Sequence, residues 1–200
     1  MRLMLKTFLL LAGLLQFALL LSASGCRGLT WDDKEPKLFD AAANGDEKTA
    51  NSLIAAGTYI NAREAGGETP LMYAAANGQT KMVLFLLERG ADINAVSDNG
   101  ETALVRAGGD TATVKILLKK GADVELGGPL DRASYAGYLD TVKALLEKGA
   151  NPNAELFDGN TALMAAAVQS GSKDIAEALI AAGADVKHKI SRARPQKCLR

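Results

Sequence analysis

From about Pro36 onward, short apolar stripes at helical spacing alternate with polar breaks. Leu71, Ala74 and Ala75 follow Thr69-Pro70, an opening in which Thr caps free backbone amides and Pro takes a first-turn position with no amide bond to lose. Gly78 ends this first predicted helix, because glycine adopts a positive φ at little cost. Met82, Val83, Leu86 and Leu87 give a second predicted helix its apolar face, and Gly90 closes it. ADINAVSDNGET then passes through Asn99-Gly100, a dipeptide suited to a tight hairpin turn, and Thr102 opens the next unit.

The whole phrase recurs. ETPLMYAAANG at 68–78 is echoed by ETALVRAGG at 101–109 and NTALMAAAVQSG at 160–171. Gly45, Gly78, Gly109, Gly137 and Gly171 form one series, and twelve residues after each stands Gly57, Gly90, Gly121, Gly149 or Gly183. Successive copies lie 33, 31, 28 and 34 residues apart, a period that predicts stacked repeats. One helix pair cannot bury its own apolar face, so each copy walls its neighbour, and the paired alanines let successive backbones approach closely.

The pattern G-x-T-P-L-x-x-A-A-x-x-G followed by V-x-x-L-L-x-x-G-A-D-I-N-A resembles the ankyrin repeat, with Met72 where that family usually has His. The resemblance runs from Pro36 to Val186. It implies an all-α solenoid of about five helix-turn-helix units with short hairpin fingers, at about 36–66, 67–99, 100–126, 127–158 and 159–186. It also implies partner binding at the finger tips and the exposed, concave face of the first helices. Those positions carry Glu64, Glu68, Asp98, Asn99, Glu101, Phe157, Asp158 and Asn160 on the fingers, and Asn77 and Tyr135 on the helices. With Glu155 added and only Arg63 opposed, this surface is acidic and suits a partner with a basic patch, unless Asp98 and Asp158 are simply turn formers. Tyr135 and Phe157 are either binding anchors or rings tucked between units, whereas Tyr73 and Phe85 occupy core-like positions.

The copies are not uniform. The first lacks the Thr-Pro opening and carries Lys34, Glu35 and Lys37 ahead of it, as a polar terminal cap would. The third loses two residues between Leu104 and Gly109, which shortens its first helix. ADVELGGPL is five residues shorter than ADINAVSDNGETAL, so the finger between the third and fourth units is largely missing, and Gly128 replaces the Thr. That notch is either drift in a tolerant loop or a groove shaped for a partner.

Charge and the chain ends add a setting. Across 200 residues, 23 Lys+Arg balance 23 Asp+Glu, which argues against nucleic acid as a partner. The basic tail 187–200 reads as a frayed end more readily than as a phosphate or lipid patch. Arg2 and Lys6 precede an apolar run from Phe8 to Leu21, and Ser22, Ala23, Ser24 and Gly25 lead to Cys26, the order of an export signal over 1–25. The run falls short of the ~20 residues of a spanning helix, so cleavage is favoured over an uncleaved anchor. ASGC resembles the lipobox of bacterial lipoproteins, although Ala23 stands where Leu is usual. That resemblance implies lipid on Cys26, a linker over 26–35 containing Trp31, and a periplasmic location at the outer membrane. Simple cleavage, or a disulfide between Cys26 and Cys198, stays open.

Chemistry is sparse. His188, the only imidazole, reads as a solvent-exposed bystander beside Lys187 and Lys189, and one His with two distant Cys offers no zinc spacing. No phosphate-cradling loop is visible, and Asp92, Asp123 and Asp185 belong to the repeat's own loop bonding. The sequence therefore predicts a non-catalytic protein-binding scaffold with no cofactor, metal or catalytic residue. An inhibitor neutralising a secreted toxin, a structural envelope accessory and an enzyme are the alternatives.

Overall fold

The computed structural model describes residues 34–155, 159–168 and 172–188, all within the compact unit Lys34–Arg200. Cys26, Trp31, Phe157, Asp158 and Cys198 lie outside the described residues. Ten helices and no strand are present among the described residues. Five first helices, α1 (Lys34–Asn44), α3 (Pro70–Ala76), α5 (Ala103–Ala107), α7 (Pro129–Ala136) and α9 (Ala162–Val168), pack in sequence order as one row. The second helices are α2 (Glu47–Ala55), α4 (Thr80–Glu88), α6 (Thr111–Lys119), α8 (Leu139–Glu147) and α10 (Lys173–Ala181), each packed on the first helix of its own unit.

The local grammar explains the ends. Thr69 and Thr102 are extended N-caps whose hydroxyls accept from the Met72 and Val105 amides. The carboxylates of Asp46 and Asp110 cap α2 and α6, accepting from the Thr49 and Ala112 amides. Five glycines at the close of the second helices share one left-handed conformation, with φ of 93° at Gly57, 88° at Gly90, 95° at Gly121, 90° at Gly149 and 96° at Gly183. Any L-residue with a side chain is strained there.

The core lies between the rows. Leu38, Leu71, Met82, Val83, Leu86, Val114, Leu117, Val142, Leu145 and Leu179 are fully buried. Ala42, Ala74, Ala75, Ala107, Ala133 and Ala166 line the close approach of the first helices. Ser134 takes one such small position, and its buried hydroxyl donates to the Leu130 carbonyl at 2.7 Å, so the polar atom is satisfied.

Units are also stitched through their loops. Asn61 accepts from the Asp92 amide at 2.8 Å, Asn94 from the Asp123 amide at 2.9 Å, and Asn153 from the Asp185 amide at 2.7 Å. Between the third and fourth turns Glu125 stands in for the Asn and accepts from the Asn151 amide at 2.7 Å. Asp92, Asp123 and Asp185 each bond the amide two residues on, the local loop role expected of them.

The third unit departs from its neighbours. α5 has five residues against seven in α3, as its deletion predicts. The positive-φ closing residue is Gly108, at φ 50°, rather than the expected Gly109. Gly109 instead accommodates the Tyr138 ring, which would lie 2.8 Å from a Cβ placed there. With α5 short, α5 and α7 meet less extensively than the other neighbours in their row, while α6 and α8 still pack.

Candidate functional site

The finger bases carry a ladder of charges. Glu68 and Glu101 each stand immediately before a capping Thr, and Arg106 stands four residues after one, on α5. Arg106 bridges both carboxylates, with Nη2 3.1 Å from Glu68 and Nη1 3.3 Å from Glu101. Arg132 on α7 approaches the other oxygen of Glu101 at 3.1 Å. Glu64 accepts a hydrogen bond from the Tyr73 hydroxyl at 2.5 Å. That bond, with burial and the nearby Glu68, holds the Tyr73 phenol well above its ordinary ionisation range. The Tyr73 ring packs edge-on against Phe39, with centroids 5.4 Å apart.

At the finger tips, Arg63 donates to the Val96 carbonyl at 2.7 Å and lies 3.7 Å from Asp98, whose own amide donates to the Gly66 carbonyl at 2.8 Å. These contacts tie the second finger to the third. Asn99 is exposed in the following turn. Asn77 is exposed at the end of α3, and its side chain donates back to the Tyr73 carbonyl at 2.9 Å.

Of the positions singled out by sequence, Glu64, Glu68, Asp98 and Glu101 share one neighbourhood, but all are internally paired. Around Glu68 and Glu101 the acidic surface expected there is charge-compensated, because Arg106 and Arg132 lie at repeat positions that bring them against it. Tyr135 is 53% exposed on α7, apart from the tip contacts. Asn160 is half-buried before α9 and makes polar contact there. Sequence reasoning passed over Arg106, Arg132 and Tyr73, although the three share one repeat position, four residues after the cap site. His188 also differs from expectation. It is half-buried, with Nε2 3.2 Å from Glu155.

Between α5 and α7 the reduced packing leaves a cleft of about 350 Å³, lined by Glu101, Val105, Arg106, Arg132, Ala136 and Tyr138. Its walls offer guanidinium donors, a carboxylate and a tyrosine ring, chemistry suited to recognising polar groups on another molecule. Among the described residues no three His, Cys, Asp or Glu converge as metal ligands, and no helix is long and apolar enough to cross a membrane.

Known proteins match this architecture. A profile described as ankyrin repeats (3 copies) matches residues 38–127 and again 127–190. The ankyrin repeat and KH domain-containing protein 1 of Homo sapiens is 48% identical over 58 residues, 28% of this chain and 2% of that protein. The ankyrin repeat and KH domain-containing protein mask of Drosophila melanogaster is 47% identical over 58 residues, 28% of this chain and 1% of that protein. This chain thus spans only 1–2% of the length of these relatives, and the likeness concerns the repeats. Ankyrin repeats generally bind other proteins and carry no catalysis. With paired helices, glycine-closed turns and Asn-stitched loops all present, and the profile covering 38–190, the chain belongs to the ankyrin-repeat family.

Proposed function

We propose that this chain is a non-catalytic protein-binding scaffold of the bacterial cell envelope, exported by its first residues and held there through lipid on Cys26. Its binding face is the row of finger bases and first helices. The observation that carries this reading is the cleft between α5 and α7, where the reduced packing leaves Arg132 and Tyr138 accessible together, with Tyr135 exposed elsewhere on α7. The export reading is supported by Arg2 and Lys6 before the apolar run 8–21 and by ASGC at 23–26.

Cross-linked capture by the full chain in its native envelope, beside a Tyr135→Asp variant, tests the binding face. One protein held by the parent and lost by the folded variant supports it, and no capture overturns a resident partner in favour of a foreign one such as a toxin. Labelling with a fatty-acid analogue that is lost in Cys26→Ser supports the anchor, and equal labelling of both overturns it.

A further inference from the structure

One repeat position recurs along the first helices, four residues after the cap site: Tyr73, Arg106, Arg132 and Ala165. A second precedes each cap site: Glu68, Glu101, Gly127 and Asn160. In the third unit these positions work together. Arg106 is gripped by a carboxylate of the preceding unit, Glu68 at 3.1 Å, and by one of its own unit, Glu101 at 3.3 Å.

The fourth unit repeats only half of that arrangement. Arg132 keeps the carboxylate of the preceding unit, Glu101 at 3.1 Å, but its own unit supplies Gly127 where a Glu would complete the grip. The short connection leaves no room for one. Gly127 has φ +81°, and a Cβ there would lie 2.8 Å from the Gly100 carbonyl oxygen. The side-chain exposures follow, 32% for Arg106 against 63% for Arg132. Among the described residues Arg132 has no second carboxylate. A guanidinium carries five N–H donors in a fork that matches carboxylate geometry, so one edge of Arg132 faces outward unfilled.

The surroundings fit the same occupant. Tyr135 lies three residues on along α7, 53% exposed, and the 350 Å³ cleft opens beside Arg132. Glu68, Arg106, Glu101 and Arg132 alternate in sign, and one further carboxylate extends that alternation by a step.

We propose that Arg132 anchors a binding site for a carboxylate of the protein partner, an Asp or Glu in an extended acidic segment, seated in the gap left by the missing finger and flanked by Tyr135. This rests on the protein-binding reading above and specifies the chemistry of what is bound. It differs from the basic partner expected from sequence, because Glu68, Glu101 and Asp98 already have arginines beside them.

The test is an NMR titration of the full chain in mild detergent at low salt, using a blocked octapeptide of alternating Asp and Gly and its Lys counterpart. The acidic peptide is expected to give saturable shifts at Arg132, Ala136 and Tyr138, and Arg132→Ala to weaken it about tenfold or more. Arg89→Ala, a residue held over the Phe85 ring on α4, is expected to bind like the parent. Absence of shifts at those residues, equal affinity in Arg132→Ala, or equal binding of the Lys peptide overturns the site. The two readings fail separately. A captured partner indifferent to Arg132→Ala leaves the scaffold and removes the carboxylate site, whereas Arg132-dependent peptide binding without any captured partner does the reverse.

Discussion

The side-chain oxygen of Asn94 accepts a hydrogen bond from the backbone amide of Asp123 at 2.9 Å, twenty-nine residues along the chain. The residue that accepts belongs to one loop and the amide to the next, so the bond fixes the spacing between neighbouring units. Asn61 and Asn153 make the equivalent bond, and Glu125 does so where the Asn is missing. A repeat stack is stabilised through such nearest-neighbour terms.

Asn94→Ala is therefore expected to destabilise the fold by about 0.5–1.5 kcal/mol, the net worth of a typical intramolecular hydrogen bond. The loop is exposed, so water can reach the freed amide and holds the loss to that range. The urea midpoint checks it, and a variant matching the parent would remove this bond from the inter-unit coupling.

Arg106 and Arg132 sit at the same repeat position with unequal surroundings. Arg106→Ala leaves Glu68 and Glu101 half-buried without the cation between them, and about 1–2 kcal/mol of stability is expected to be lost. Arg132 is mostly exposed, and Arg132→Ala is expected to cost less than about 1 kcal/mol. Equal losses in thermal melts would contradict the ladder as described.

How far the sequence carried depended on whether a feature repeats. The paired glycines, the Thr caps and the apolar stripe through Met82 and Leu86 recur in near-identical form, so period and spacing were enough to predict the stacked helix pairs. The deletion after Leu104 likewise foretold the short α5. Glu68, Glu101, Arg106 and Arg132 were harder to read, because their meaning depends on which side chains meet across units. Glu68 and Arg106 lie far apart in sequence, and only their shared place in the repeat hints at contact. Tyr73 occupies a core-like position in the repeat, yet its hydroxyl reaches Glu64. His188 was judged from its lysine neighbours in sequence, whereas Glu155 from the last finger is its neighbour in space.

Tyr73 and Glu64 give an alkaline signature. The phenol loses its proton at higher pH in the folded chain than in the unfolded one, where the ordinary value is about 10. Stability from this pair is thus fully present below about pH 10 and declines as pH rises beyond it. Tyr73→Phe is expected to remove that part of the decline. Urea midpoints between about pH 8 and 11, with tyrosinate absorbance followed in parallel, check the sign.

Leu86 is fully buried on α4, in the core that joins the two rows. Leu86→Ala is expected to cost about 2–5 kcal/mol, the transfer term of the lost side chain plus the cavity it leaves. A melting temperature equal to the parent's would show that α4 turns another face inward.

Gly127 and Gly121 separate two reasons for glycine in the shortened connection. Both have positive φ, +81° and +95°, so an Ala at either is strained by about 1 kcal/mol or more. At Gly121 a Cβ would meet open space, and the loss is expected to stop there. At Gly127 it would meet the Gly100 carbonyl oxygen at 2.8 Å and a Val105 methyl at 3.1 Å, so the third finger must shift as well. Gly127→Ala is accordingly expected to be the more destabilising of the two and to disturb the Arg132–Glu101 pair beside it. Urea midpoints rank the variants, and the Glu101 and Arg132 resonances report the displacement. Equal midpoints would mean that the missing finger is a slack loop, whereas the expected ranking makes it a close-packed joint that holds Arg132 in place.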